Sequence, residues 1–218
     1  MTAYPRIAAL ALAFLLWPGL LPASVEDEPR LLLTQVTERL IQEASQNGES
    51  LRRDPQRAYG LAEEVIGPTV DFLAIARRIL GAYWREADAQ ERERFAEEYR
   101  TFVLRSLVMA FIERLEAVPR YGARLTYLPT RLSEDGRSAA VRARLGLDSG
   151  VPLEIEFRLL RSAGAWKVYD VSLAGVSLVQ ANQATFQREL SAGGVRGLTA
   201  RLAAHNRGLE GGPSPIGR

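Results

Sequence analysis

Few side chains in this sequence have the reach for catalysis. Asp71, Asp88 and Asp170 are carboxylates that could serve as a general base, and His205 is the single histidine of the 218-residue chain. A serine-histidine-acid triad would have to be built on His205, in a stretch from Arg201 to Gly208 that reads as the end of a helix. The chain has no cysteine, which removes disulfides, thiolate zinc sites, iron-sulfur ligation and a cysteine nucleophile together. No glycine-rich phosphate loop joins a strand to a helix and no metal-ligand spacing occurs, so the sequence implies no cofactor and no metal. Asp71 and Asp88 stand where helix caps belong. Asp170 sits on a strand, in Trp166-Lys167-Val168-Tyr169-Asp170-Val171, where a buried carboxylate needs donors, expected from backbone N–H groups of the turn at Gly175. A small enzyme using Asp170 or Asp71 in an apolar pocket is one reading, but the residues point more strongly away from catalysis.

The elements that must position these residues are legible from composition and periodicity. With 47% hydrophobic and 25% charged side chains, the chain is of globular composition. Its 28 basic and 26 acidic residues interleave, as in Glu91-Arg92-Glu93-Arg94, which describes solvated helix faces and no nucleic-acid patch. Arg6 precedes an apolar run from Ile7 to Leu16, too short to span a bilayer, and Trp17-Pro18-Gly19 then leads to a small residue at Ala23. That is the pattern of a signal peptide, residues 1–23, cleaved on export.

From Glu28 to about Asn47, Leu32, Leu33, Val36, Leu40, Ile41 and Ala44 recur at helical spacing, with Asn47-Gly48 as the expected stop. A helix from Gln56 to Ile66 ends at Gly67-Pro68, and Asp71 caps another that runs through Leu80. Asp88 with Glu91 forms a capping box for a long helix reaching about Glu116. Its second half, Phe102 to Ile112, is apolar around the whole circumference and must be covered on all sides, either by the core or in part by a ligand.

Beyond Pro119 the period falls to two, and strands are expected at Ala123 to Leu132, Ser138 to Leu147, Val151 to Arg161 and Ala165 to Leu173. The breaks between them, Glu134-Asp135-Gly136, Asp148-Ser149-Gly150 and Ala163-Gly164, are hairpin turns. One face of this sheet is apolar, and on the other Arg142 and Arg144 oppose Glu154 and Glu156. Helices return after the sheet, broken at Gly193-Gly194, with Leu198 and Leu202 inward in the last one. Residues 208–218 read as a disordered tail. The predicted fold is α+β: a four-stranded antiparallel meander with helices before and after it packed on one face, in a single domain of residues 24–207.

Three blocks of this chain resemble a known family. Pro68-Thr69-Val70-Asp71-Phe72, Ile75-Ala76-Arg77 and Leu80-Gly81-Ala82-Tyr83-Trp84-Arg85 are similar to a segment of the MlaC family, the toluene-tolerance auxiliary proteins. The likeness continues through Gln90, Phe95, Tyr99, Arg100 and Phe102, and returns at Trp166 to Val171, Gly175 to Val179 and Gly197-Leu198. It spans roughly Val36 to Asn206, with one departure at Ala181-Asn182-Gln183, where many members carry Asn-Tyr-Arg.

The resemblance implies a periplasmic phospholipid carrier that holds acyl chains in an apolar cavity between helices and sheet, with the head group toward solvent. It implies a monomer that shuttles lipid between an outer-membrane lipoprotein complex and an inner-membrane ABC transporter complex with a lipid-binding ring. A hopanoid or sterol carrier of the same fold is the neighbouring alternative. On this reading the helical candidates for the cavity wall are Phe72, Ile75, Tyr83, Phe102, Leu107 and Phe111. Those from the sheet and its exit are Val141, Leu145, Ile155, Phe157, Tyr169 and Val176. Arg77, Arg85 or Arg100 would meet a phosphate at the mouth. Gly67, Gly81 and Gly175 stand at junctions where helices and sheet could part.

Overall fold

The computed structural model describes residues 27–208, so the expected signal peptide and nearly all of the expected tail lie outside the described residues. Helix α1 spans Glu28–Arg53 and runs past Asn47-Gly48. Gly48 is there for proximity: a Cβ on it would lie 2.9 Å from Leu115 Cδ2. The stop falls at Asp54, where the following Pro55 disfavours helical backbone and φ/ψ become −125°/90°. Asp54 then caps α2, Pro55–Val65, accepting from the N–H groups of Gln56 and Arg57 at 3.0 and 3.2 Å.

A 3-10 turn over Gly67–Thr69 leads to α3, Phe72–Leu80, where the Asp71 carboxylate accepts from Ala74 N–H at 2.8 Å. After the single turn of α4, Tyr83–Glu86, the long helix α5 spans Ala89–Glu113. Its capping box is formed as expected: Glu91 N–H donates to Asp88 Oδ1 at 2.8 Å and Asp88 N–H to Glu91 Oε2 at 3.0 Å. A 3-10 turn, Leu115–Ala117, and the short α6, Val118–Gly122, follow.

The sheet is the antiparallel meander, with more pieces than four. Pro129 has no N–H to give a ladder, so the first strand is split into β1, Leu125–Tyr127, and β2, Arg131–Leu132, which both pair with β3, Ser138–Leu145. Strands β4, Leu153–Ser162, and β5, Ala165–Leu173, continue it, and β6, Val176–Ser177, adds a short edge. The tight turns Ala163-Gly164 and Ala174-Gly175 have φ of 48° and 83° in both cases, the left-handed pair that matches strand twist. Arg142 faces Glu156 and Arg144 faces Glu154, as the alternation requires; the second pair closes at 3.2 Å, while Glu156 bonds Arg158 instead.

Helix α7, Leu178–Gly208, is broken at Gly194, whose φ/ψ of 60°/−163° leave the helical region. Its halves, with α2, α3 and α5, form one core around Ile79, Phe95, Leu104, Leu190 and Leu198. The second core lies on the apolar sheet face, where Leu33 of α1 packs with Val141, Leu159, Trp166 and Val168.

Tyr99 of α5 locks the two helical blocks together. It is 3% exposed, stacks on Phe95 at 6.1 Å between ring centroids, and accepts from Asn182 Nδ2 of α7 at 2.6 Å. The departure at Ala181-Asn182-Gln183 therefore serves helix docking. Burial, with a contribution from the Asp170 charge, pushes the Tyr99 hydroxyl up from 10.0 to about 12. Above about pH 10 the unfolded chain gives up a proton that the native state keeps, so this contribution is complete below pH 10 and drains as pH rises toward 12. The shift corresponds to roughly 2–3 kcal/mol. The urea midpoint should fall between about pH 9.5 and 11.5, and the fall should be smaller in Tyr99→Phe.

Candidate functional site

A cavity of about 400 Å³ opens between α1, α2, α5, α6 and one end of the sheet. Its sheet wall is Leu125, Leu145 and Ile155; Thr37, Leu40 and Ile41 of α1 face it, and Leu107, Ala110 and Phe111 of α5 form the opposite side. The position follows from one helix stripe. Leu33, Thr37, Leu40 and Ile41 lie on the same side of α1, and the stripe runs from the dry core at Leu33 into the cavity at Thr37. Small residues leave the space unfilled: Ala58 and Ala62 of α2, Ala110, and Gly122 of α6 all border it. A Cβ on Gly122 would overlap Ile41 Cδ1, so any larger residue there makes the Ile41 side chain shift.

The apolar circumference of α5 is divided among its neighbours. Leu104 and Val108 are buried in the helical core, Phe102 packs edge-on to Phe186 and against the His205 ring, and Leu107 remains 44% exposed at the cavity. The core reading and the ligand reading of this segment each describe a different face of it.

Of the twelve candidate wall residues, the structure brings Leu107, Phe111, Leu145 and Ile155 together around the cavity. Phe72 and Ile75 are in the helical core with Tyr83 half-buried against it, and Phe102 is in the aromatic cluster. Val141 and Phe157 belong to the dry part of the sheet face. Tyr169 lies under the Arg78 guanidinium at 3.9 Å, and Val176 is 61% exposed on the edge strand. None of the three arginines expected at the mouth lines the cavity: Arg77 and Arg85 are exposed on α3 and α4, and Arg100 is paired with Glu63.

The polar wall residues that periodicity did not reveal are Thr37, Arg114 and Tyr121. Thr37 shares a 2.7 Å hydrogen bond with the Tyr127 hydroxyl, which donates in turn to the Leu33 carbonyl at 3.2 Å. Burial raises the Tyr127 hydroxyl above its ordinary value, so it stays a donor. Among the described residues no helix is long and apolar enough to cross a membrane, and no group of histidine and acidic side chains is placed to hold a metal ion.

Residues 34–204, more than three quarters of the chain, match the family model described as MlaC protein. The chain belongs to the MlaC family. A relative in this family, toluene tolerance protein ttg2D of Pseudomonas putida, is 25% identical over 151 residues, covering 69% of this chain and 67% of the relative. The intermembrane phospholipid transport system binding protein MlaC of Haemophilus influenzae is 22% identical over 162 residues, 72% of each chain. A solved structure, the phospholipid-binding protein from Ralstonia solanacearum in complex with a phospholipid, has the same fold: TM-score 0.69 at 22% identity, over 83% of this chain and 97% of that one.

The carboxylates of this MlaC-family chain are spent on its architecture. Asp71 and Asp88 are the caps of α3 and α5. Asp170 is 6% exposed and its donors sit one element beyond the Gly175 turn: Ser177 Oγ lies 2.9 and 2.8 Å from its two oxygens and Val179 N–H donates at 3.3 Å. Ser177 also accepts from Gln180 N–H at 3.1 Å, so the pair caps α7 and ties it to β5. His205 has no hydrogen bond to a serine or an acid among the described residues, and its Nε2 is buried without a partner. Asp170→Ala strands the Ser177 hydroxyl and the Val179 N–H in a buried place, and urea unfolding should show a loss of about 1–3 kcal/mol, with a smaller loss for Asp170→Asn, which can still accept.

Proposed function

We propose that this protein is a periplasmic carrier that encloses a phospholipid by its acyl chains and shuttles it between an outer-membrane lipoprotein complex and an inner-membrane ABC transporter complex with a lipid-binding ring. Residues 1–23 are its export signal and residues 24–207 its lipid-binding domain, and it acts as a monomer without catalysis, cofactor or nucleic acid. The observation that carries this reading is the apolar cavity, walled mostly by small and apolar side chains between the helices and the sheet end. The phospholipid bound to the Ralstonia protein and the name of the Haemophilus relative support the same ligand class.

The acyl chain lies against Leu107, Phe111, Leu145 and Ile155. An apolar cavity of about 150 Å³ takes a benzene, about 25 Å³ per carbon. By that measure about 400 Å³ accommodates one chain of about sixteen carbons. At about 0.8 kcal/mol per methylene, leaving such a chain in water would cost roughly 13 kcal/mol, so a carrier has to enclose nearly all of it. A second chain requires α2 and α5 to move away from the sheet. Nothing in this mechanism consumes energy; direction comes from the relative affinities of the partners and from the energised transporter.

Native mass spectrometry of protein purified from the periplasm, followed by lipid extraction, tests the reading. A stoichiometric diacyl phospholipid is the expected result. Leu107→Glu, at a position already 44% exposed, should leave the thermal midpoint unchanged and lower the loaded fraction more than about tenfold, because a carboxylate would face the chain. An empty protein, or one holding only a polycyclic lipid, would refute the proposal.

A further inference from the structure

Among the described residues the wall of the cavity contains one cation, and that cation has no counter-ion. Arg114 is the residue at which α5 ends; its backbone N–H donates to the Phe111 and Ile112 carbonyls, and its side chain borders the cavity. The guanidinium makes no hydrogen bond or ion pair among the described residues. The acids on this helix end and on the neighbouring elements do not pair with it: Glu113 makes no ion pair among the described residues, and Glu116 and Asp148 are engaged by other arginines. Asp148 is shared by Arg120 at 3.0 Å and Arg124 at 2.6 Å, which holds its carboxyl below the usual range, and Glu116 pairs with Arg52 at 2.9 Å. On α5 itself Arg100 is committed to Glu63 and Arg105 to the Asn206 carbonyl. Tyr121 is the second uncommitted donor of this wall. Its ring is covered by the Arg120 guanidinium at 5.1 Å, and its hydroxyl has no hydrogen bond among the described residues.

A guanidinium cannot shed its proton. Arg114 is exposed at the edge of the cavity, so a lipid whose chain fills the cavity presents its polar end to a hydrated guanidinium, and an anionic group there gains a charge-assisted pairing. A phosphate offers oxygens spaced for the planar N–H fork and for an O–H donor beside it. We infer that Arg114 and Tyr121 hold the phosphate group of the lipid whose chain occupies the cavity. This assignment rests on the carrier reading and adds to it a polarity for the bound lipid, phosphate at the α5–α6 junction, and a selection against lipids that lack the phosphate.

The test is a competition. Purified protein is incubated with vesicles containing equal amounts of phosphatidylglycerol and diacylglycerol of identical chains, and the lipid taken up is counted by native mass spectrometry. The wild type should prefer phosphatidylglycerol by about tenfold. Arg114→Gln should bring the preference close to parity by lowering phosphatidylglycerol uptake, Tyr121→Phe should reduce it part of the way, and Arg114→Lys should retain much of it. An unchanged preference in Arg114→Gln overturns the assignment, as does a wild type that takes up both lipids equally. Added oleate that displaces phosphatidylglycerol from the wild type but not from Arg114→Gln would overturn it in favour of a carboxylate. A wild type that takes up neither lipid overturns the carrier reading itself.

Discussion

Leu33 of α1 closes the dry half of the sheet face against Val141, Leu159 and Val168, and one to two turns later the same stripe of the helix, at Thr37, Leu40 and Ile41, faces a cavity. A two-layer fold is held together by covering its apolar sheet face, and here the cover is complete at one end only. Interiors ordinarily close such gaps to crystal-like density. This one stays open because the residues across from the stripe, Ala58, Ala62 and Ala110, are too short to reach, while longer side chains at Leu107 and Phe111 are held on a helix that is anchored elsewhere. The cavity is thus set by side-chain size on three helices, and its lining gains dispersion contacts only when something apolar enters.

The anchoring uses up the groups that would otherwise suggest chemistry. Asp170 and Ser177 fasten α7 to β5, Asn182 fastens α7 to Tyr99 on α5, and Asn206 returns to Glu98 at 2.8 Å while its carbonyl accepts from Arg105. On the other side α6 is pressed onto Ile41 through Gly122 and tied to the β3–β4 loop by Arg120, Arg124 and Asp148. Polar groups cross between elements around the walls, and among the described residues Arg114 and Tyr121 are left uncommitted where they meet the empty space.

Much of this was legible in the sequence because the signals are local. Caps at Asp71 and Asp88, the turns at Ala163-Gly164, the break at Gly194 and the cross-strand arginine-glutamate register each depend on a few neighbouring residues, and the structure forms them as expected. The end of α1 was missed because Gly48 looks like a stop until Leu115, far along the chain, is seen packed against it. The cavity wall was legible only in part for the same reason. Val141 and Ile155 alternate in the same way on the same face, yet one is dry core and the other borders the cavity, a difference made by which part of α1 lies above each. Arg114 carries no mark that separates it from the other arginines of the chain; only its place at the end of α5, beside a void and without an ion pair among the described residues, does so.

The central claim is that an acyl chain lies between α1, α2, α5 and the Leu145–Ile155 end of the sheet. Crystals of the protein loaded with a phospholipid brominated along one acyl chain would test it directly through the anomalous signal of bromine. The account predicts bromine peaks among Leu107, Phe111 and Ile155; peaks at the sheet surface, along the exposed edge near Val176, or within the helical core around Phe95 would contradict it.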